Sequence, residues 1–146
     1  MYATAVLVLS VSVSAPQLKD KTPKEPPIFG EWVRVGHTQA GQPVSTVKED
    51  HHQVFTQDGQ WEYYYGGKKG NPQRWSFATD FRQAPATIDI YQGGPGADGW
   101  RGIYKVEDDT LTLCLVNTPG QRPKTFESSV DQPTTVWVFK RVKLKD

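Results

Sequence analysis

The segment from Gly102 to Leu115 constrains the fold of this 146-residue chain more than any other part. An acidic stretch at 107–109 separates two runs in which apolar residues alternate with others. In the second run every other residue from Leu111 to Leu115 is a leucine, and Cys114 falls on the opposite face. A repeat of two residues is the period of a β-strand, so the segment predicts a β-hairpin.

Similar alternation along the rest of the chain predicts an all-β protein. Aromatic residues, which favour strands, make up 12% of the chain, and 13 glycines and 11 prolines supply turns. A short helix fits only between Thr38 and Glu49. Eight or nine short strands predict an antiparallel up-and-down barrel, with a sandwich as the alternative. The predicted strands are Phe29–Val35, His51–Thr56, Gln60–Tyr65, Gln73–Thr79, Thr87–Tyr91, Trp100–Val106, Leu111–Val116, Lys124–Glu127 and Thr135–Val142.

Composition divides the chain into three regions. Residues 1–14 carry no charged side chain, and an apolar run followed by small residues is typical of a secretory signal peptide, although no Lys or Arg precedes it. Residues 15–27 are rich in Pro and Lys and are interpreted as a linker, and residues 28–146 hold the barrel. We therefore predict an exported protein. We predict no transmembrane segment, because a spanning helix needs about 20 apolar residues.

Charge and cysteine content narrow the classes of function. A net charge of +1 argues against a nucleic-acid partner, which usually leaves a basic footprint. The chain has one cysteine, Cys114, so it forms no internal disulfide. Its place in a strand pattern predicts a buried wall residue rather than a catalytic thiol.

Aromatic side chains share one face of two successive predicted strands. They are Trp61, Tyr63 and Tyr65 on one strand, and Trp75 and Phe77 on the next. An eight-stranded barrel is just wide enough to hold one small ligand or to be filled by its own side chains. These five residues are the predicted ligand-binding residues. No catalytic residue, cofactor or metal is predicted.

Two groups of titratable residues are weaker candidates for chemistry. The run Asp50-His51-His52 resembles a metal site, but neighbouring side chains of a strand point to opposite faces and cannot easily hold one ion. Glu62 and Asp89 lie mid-strand, and as barrel-interior acids they would need partners or a proton. Structural pairs are the favoured interpretation, and a general acid or base is the alternative. The candidate partners are Arg74, Arg101 and Tyr91.

Three blocks in the last third of the chain resemble one family. They are Gly102-Ile103-Tyr104-Lys105-x-x-x-Asp109-Thr110-Leu111-Thr112-Leu113-Cys114, Arg122-Pro123-x-x-Phe126 and Val138-Phe139-Lys140-Arg141. Together they resemble a domain of unknown function that is abundant in planctomycete-type bacteria and is regarded as lipocalin-like. The resemblance extends over Phe29–Arg141 and implies a fold but almost no activity. In the second block, Arg122 is predicted to hydrogen-bond turn carbonyls, and binding of an anionic ligand is the alternative.

The start of the domain is also similar to lipocalins. Gly30-Glu31-Trp32 has the Gly-x-Trp form that opens the first lipocalin strand, where the Trp packs across the closed end against an Arg of the last strand. The resemblance implies that Gly30, Trp32 and Arg141 close this barrel. A guanidinium stacked on an indole contributes about 0.5–2 kcal/mol.

These observations predict a non-enzymatic domain that binds a small apolar or amphipathic ligand in its barrel. The alternative is a structural or protein-interaction module that acts through its outer surface and exposes an aromatic patch outside the barrel mouth. The third hypothesis is a hydrolase or isomerase that uses Glu62 or Asp89, which requires an interior carboxylate in a cleft open to solvent.

Overall fold

The computed structural model describes residues 27–44, 51–64 and 72–143, which form nine β-strands and no helix. The strands are β1 (Gly30–Gln39), β2 (Gln42–Pro43), β3 (His52–Phe55), β4 (Gln60–Tyr64), β5 (Gln73–Asp80), β6 (Ala86–Tyr91), β7 (Gly99–Glu107), β8 (Thr110–Asn117) and β9 (Thr135–Arg141). The all-β prediction is confirmed. The predicted signal peptide, nearly all of the linker, Asp50 and Tyr65 lie outside the described residues.

The barrel is closed and antiparallel. Neighbouring strands follow the order β2-β1-β3-β4-β5-β6-β7-β8-β9, and β1 also pairs with β9. Eight strands therefore close into the predicted up-and-down barrel, and β2 adds a short hairpin strand to the end of β1. In the segment where a short helix could fit, positions 38–44 hold the end of β1, a turn and β2 instead. The remaining positions, 45–49, lie outside the described residues.

One face of each barrel strand supplies the core, because successive side chains point to opposite sides of the wall. Opposed residues such as Trp61 and Trp75, or Leu113 and Trp137, are cross-strand partners and both point inward. The buried core residues are Ile28, Trp32, Phe55, Trp61, Phe77, Ile88, Ile90, Tyr104, Leu111, Leu113, Leu115, Trp137 and Phe139.

A β-bulge in β1 changes which of its residues face the interior. The register against β9 shifts between Arg34 and Gly36, and Val35 is left 49% exposed. As a result Arg34 is opposite Phe139 and His37 is opposite Trp137. Both side chains therefore face the interior although they are three positions apart.

The barrel is plugged at one end by Trp32 and Arg141, which are cross-strand partners. The Trp32 indole is fully buried and its Nε1–H donates to the carbonyl of Ile28 at 2.8 Å. The Arg141 guanidinium carbon lies 4.0 Å from the centroid of the indole, and Arg141 donates to the carbonyls of Phe29 and Pro27. Gly30 has φ +123°, and a Cβ there would lie 2.9 Å from Arg141 Nη1. The three residues implied by the lipocalin resemblance thus meet at this end.

The connection between β8 and β9 lies against the outside of the barrel. The strand predicted at Lys124–Glu127 is wrong, because these residues form bends and coil without a strand partner. Arg122 anchors this connection: Nη1 donates to the carbonyls of Ile88 and Gly102, and Nη2 donates to both Asp89 oxygens at 2.8 and 3.0 Å. Arg122 therefore hydrogen-bonds carbonyls of β6 and β7, rather than the turn carbonyls that the sequence predicts.

Cys114 is a free, fully buried thiol on the outer side of the wall. Burial raises the pKa of the thiol, and the contact with the Thr134 side chain only partly offsets this. A raised pKa keeps the thiol protonated and poorly nucleophilic. Cys114 is the wall residue that its position in the sequence predicts.

Candidate functional site

The end of the barrel opposite the Trp32–Arg141 plug combines indole rings with one guanidinium. We call this end the mouth and define it by its inward-facing residues. They are Arg34 on β1, His51 beside β3, Trp61 and Tyr63 on β4, Trp75 on β5, Trp100 on β7 and Trp137 on β9. Five strands and the residue before β3 thus contribute to it, which explains why no short stretch of sequence reveals it.

The four mouth tryptophans contact one another across the barrel. Trp75 and Trp100 stack with ring centroids 4.7 Å apart and planes 3° from parallel. Trp61 packs edge-on against this pair and lies 6.0 Å from Trp137 on the far wall. Trp75 and Trp100 are half-buried and border a groove of about 260 Å³ that opens to solvent. The mouth therefore has an indole floor, formed by Trp61 and Trp137, and an accessible indole pair.

Arg34 forms the polar side of the mouth. Its Nη2 donates to His51 Nδ1 at 2.8 Å, and the Tyr63 hydroxyl lies 3.1 Å from the same nitrogen. A guanidinium has donors only, so in this contact His51 Nδ1 acts as the hydrogen-bond acceptor. The Arg34 guanidinium carbon also lies 5.7 Å from the Trp137 ring centroid.

Three buried donors in this region have no hydrogen-bond partner within the described part of the chain. They are Arg34 Nε, Gln53 Nε2 and Trp137 Nε1. Gln53 is fully buried, and its Oε1 accepts from Trp61 Nε1 at 3.0 Å, which fixes the orientation of the amide. A buried polar group without a partner costs about 1–3 kcal/mol. The mouth thus has donors in excess of acceptors.

Arg34 has no carboxylate in an ion pair among the described residues. His37, on the same strand, contacts the Trp137 ring edge-on at 6.1 Å between centroids. Burial, and then the positive charge of Arg34, lowers the pKa of His37, so this imidazole is neutral at neutral pH. The charge on this side of the mouth is therefore that of Arg34.

The structure brings together only part of the predicted ligand-binding set. Trp61, Tyr63 and Trp75 lie in the mouth, and Phe77 points inward but packs deeper, 5.1 Å from the Phe55 ring. Tyr65 lies outside the described residues. The mouth residues that sequence reasoning did not select are Arg34, His51, Trp100 and Trp137, with Gln53 beneath them.

The prediction that Glu62 and Asp89 suit the barrel interior is wrong. Both alternate with inward-facing aromatic or aliphatic residues and therefore lie on the outer face. Glu62 accepts from Arg74 Nε at 2.9 Å, and Asp89 pairs with Arg122. Both acids are thus in structural pairs on the outside of the wall. Arg74 is one of the predicted partners, whereas Arg122, the partner of Asp89, is not.

Tyr64 and Glu62 form a pH-sensitive pair on this outer face. The Tyr64 hydroxyl donates to Glu62 Oε2 at 2.5 Å, and this bond, with burial, raises the pKa of Tyr64 to about 12 from 10.0. Because the folded-state pKa is the higher one, the stabilisation is complete below pH 10 and is lost as the pH rises through about 12. In a tyrosinate absorbance titration, with Tyr64→Phe identifying the signal, Glu62→Gln should move this ionisation towards pH 10. Identical Tyr64 titrations in the two proteins would contradict the assignment.

His51 and His52 point to opposite faces of their strand. His51 contacts Arg34 in the mouth, whereas His52 Nδ1 lies 2.7 Å from Glu31 Oε1 on the outside. Within the described residues, no three His, Cys, Asp or Glu side chains cluster as metal ligands.

No helix in the described part of the chain is long and apolar enough to cross a bilayer. Comparisons with protein-family models, curated proteins and solved structures find no match to the chain. The chemistry of the mouth is therefore the best guide to what the protein does.

Proposed function

We propose that the protein binds a small amphipathic molecule at the mouth of its barrel, without catalysing a reaction. The observation that carries this proposal is the juxtaposition of four tryptophans with a guanidinium that lacks a carboxylate partner among the described residues. Ligand sites are commonly concave, mostly apolar or aromatic, and contain a few polar groups that orient the ligand. The mouth has this composition.

The tryptophan rings and the Arg34 guanidinium have different roles in the proposed binding. The stacked pair Trp75 and Trp100 offers a flat apolar surface beside the open groove. Aromatic rings stack favourably with a further ring, beyond the gain from burying apolar area. Arg34 lies beside Trp137, with its guanidinium carbon 5.7 Å from the centroid of that ring. It orients the ligand by binding the polar end of the molecule.

The outer surface offers less support for the alternative, a protein-interaction module. Among the described residues, the large apolar side chains that are clearly exposed are Val35, at 49%, and Val130, at 77%. Neither is aromatic, so the exposed aromatic patch that this alternative requires is not found in this part of the chain. Export and membership of the planctomycete-type family stay predictions that accompany the proposal.

Replacing Trp75 with alanine should weaken the binding of a neutral aromatic probe, N-phenyl-1-naphthylamine, at least about tenfold, since central aromatic anchors contribute about 2 kcal/mol or more. Titration of probe fluorescence at fixed protein concentration gives the affinity and the stoichiometry, which should be one. Tyr91→Ala is the matched control, because Tyr91 is a half-buried aromatic on the outer face of β6. Absence of saturable binding to the wild type would refute the proposal, and so would equal losses in the two variants.

A further inference from the structure

The unpaired groups of the mouth are all donors, and this specifies the partner that they lack. Arg34 Nε, Trp137 Nε1 and Gln53 Nε2 each carry hydrogen and have no acceptor within the described residues. Successive contacts connect the three residues. Gln53 Oε1 accepts a hydrogen bond from Trp61, whose ring centroid lies 6.0 Å from that of Trp137. The Trp137 centroid in turn lies 5.7 Å from the Arg34 guanidinium carbon. A ligand group that only accepts hydrogen bonds would satisfy donors of this kind.

The charge of the site specifies the sign of that group. A partly buried guanidinium without a counter-ion is unfavourable, because desolvation removes the water that would stabilise its charge. The neighbouring His51 imidazole accepts from Nη2 but supplies no negative charge. An anionic acceptor is therefore favoured over a neutral one. Among the described residues that define the mouth, Arg34 is the one Arg or Lys. A ligand with a single negative charge would therefore balance the charge of this side chain.

We infer that the ligand is an aromatic monocarboxylate, with its carboxylate on Arg34 and the adjacent donors and its ring against the mouth indoles. The inference rests on the proposed function, because it names the chemical class of the molecule bound at the same site. A carboxylate has two oxygens, each able to accept more than one hydrogen bond, and charge-assisted bonds of this type are among the strongest in proteins. A planar ring is favoured because the half-buried, stacked pair of Trp75 and Trp100 is flat and can stack only with another flat group.

The test compares 1-naphthylacetate with 1-naphthylacetamide, which share a ring system and differ in charge. Isothermal titration of the full-length protein with each compound gives two affinities. We expect the acid to bind about 10- to 100-fold more tightly than the amide, as for one charge-assisted contact in a partly buried site. Arg34→Gln should abolish this preference by lowering the affinity for the acid far more than the affinity for the amide.

Arg34→Lys is the second variant, because it keeps the positive charge without the Nε–H. It should retain part of the preference for the acid, and its urea midpoint shows whether the barrel is intact. Equal affinities of the wild type for acid and amide would overturn the inference and leave the proposed function in place. A preference that survives Arg34→Gln would also overturn it, since another group would then bind the carboxylate. Binding of neither compound would overturn the inference, and the titration with N-phenyl-1-naphthylamine decides the proposed function separately.

Discussion

Trp32→Ala is expected to lower the free energy of unfolding by about 3–5 kcal/mol, the range for truncating a large buried aromatic residue. The Trp32 indole is fully buried, donates to the Ile28 carbonyl and carries the Arg141 guanidinium on its face. Alanine would leave a cavity at the plugged end and leave the Ile28 carbonyl without this donor. Urea unfolding followed by far-ultraviolet circular dichroism measures the loss, because it does not depend on tryptophan emission.

Trp32→Phe is the control for this prediction. Phenylalanine keeps an aromatic face for Arg141 but removes Nε1–H, so we expect a loss of roughly 1–2 kcal/mol. A loss below about 1 kcal/mol for Trp32→Ala would show that the plug contributes little to stability. In that case Arg141 and the carbonyls of Phe29 and Pro27 would hold the end of the barrel without the indole.

Gly102→Ala is the second substitution with a large expected effect. A Cβ at Gly102 would lie 2.1 Å from the backbone oxygen of Cys114 and 2.7 Å from Leu115 Cδ2. The β7 and β8 backbones would have to separate, and the Gly102 carbonyl, which accepts from Arg122 at 2.7 Å, would move with them. Overpacking of this kind costs up to about 3 kcal/mol, and occasionally more, so a loss of roughly 3 kcal/mol is expected in urea unfolding.

Gly36→Ala is the matched control, because it adds the same atom to another strand glycine. There the new Cβ would meet only the Val138 side chain, at 3.2 Å, which can shift slightly. We expect a change within about 1 kcal/mol. Similar losses at the two positions would mean that the backbone contact at Gly102 is not what makes glycine necessary there.

The barrel strands could be predicted because alternation and turn residues act over short distances. The hairpin of β7 and β8 begins and ends within one residue of its predicted bounds. The failure at Lys124–Glu127 has a different cause: Thr125 and Phe126 suit a strand, but Arg122 fastens their connection to carbonyls of β6 and β7. Such a tertiary contact, between residues distant in sequence, leaves no local pattern.

The mouth was predictable only in part, because some of its residues are brought together by contacts between strands that are distant in sequence. Trp61, Tyr63 and Trp75 follow from a period of two, and continuing that period from Trp32 would have selected Arg34 as well. His37 could not be assigned in this way, because the bulge at Val35 changes the register before it. The unpaired donors require three strands to be placed side by side, which no single segment specifies.

Closure by β1 and β9 divides the folding of this barrel into local steps and one long-range step. The other barrel pairings join strands that follow one another along the chain, apart from the small β2 excursion, whereas this seam joins the first strand to the last. The entropy of bringing distant segments together must be overcome before seam contacts compensate for it. Until then β1 and β9 are open edges that can pair with another chain. A chain that cannot seat Trp32 against Arg141 is therefore expected to fail by aggregation, because its sheet stays open.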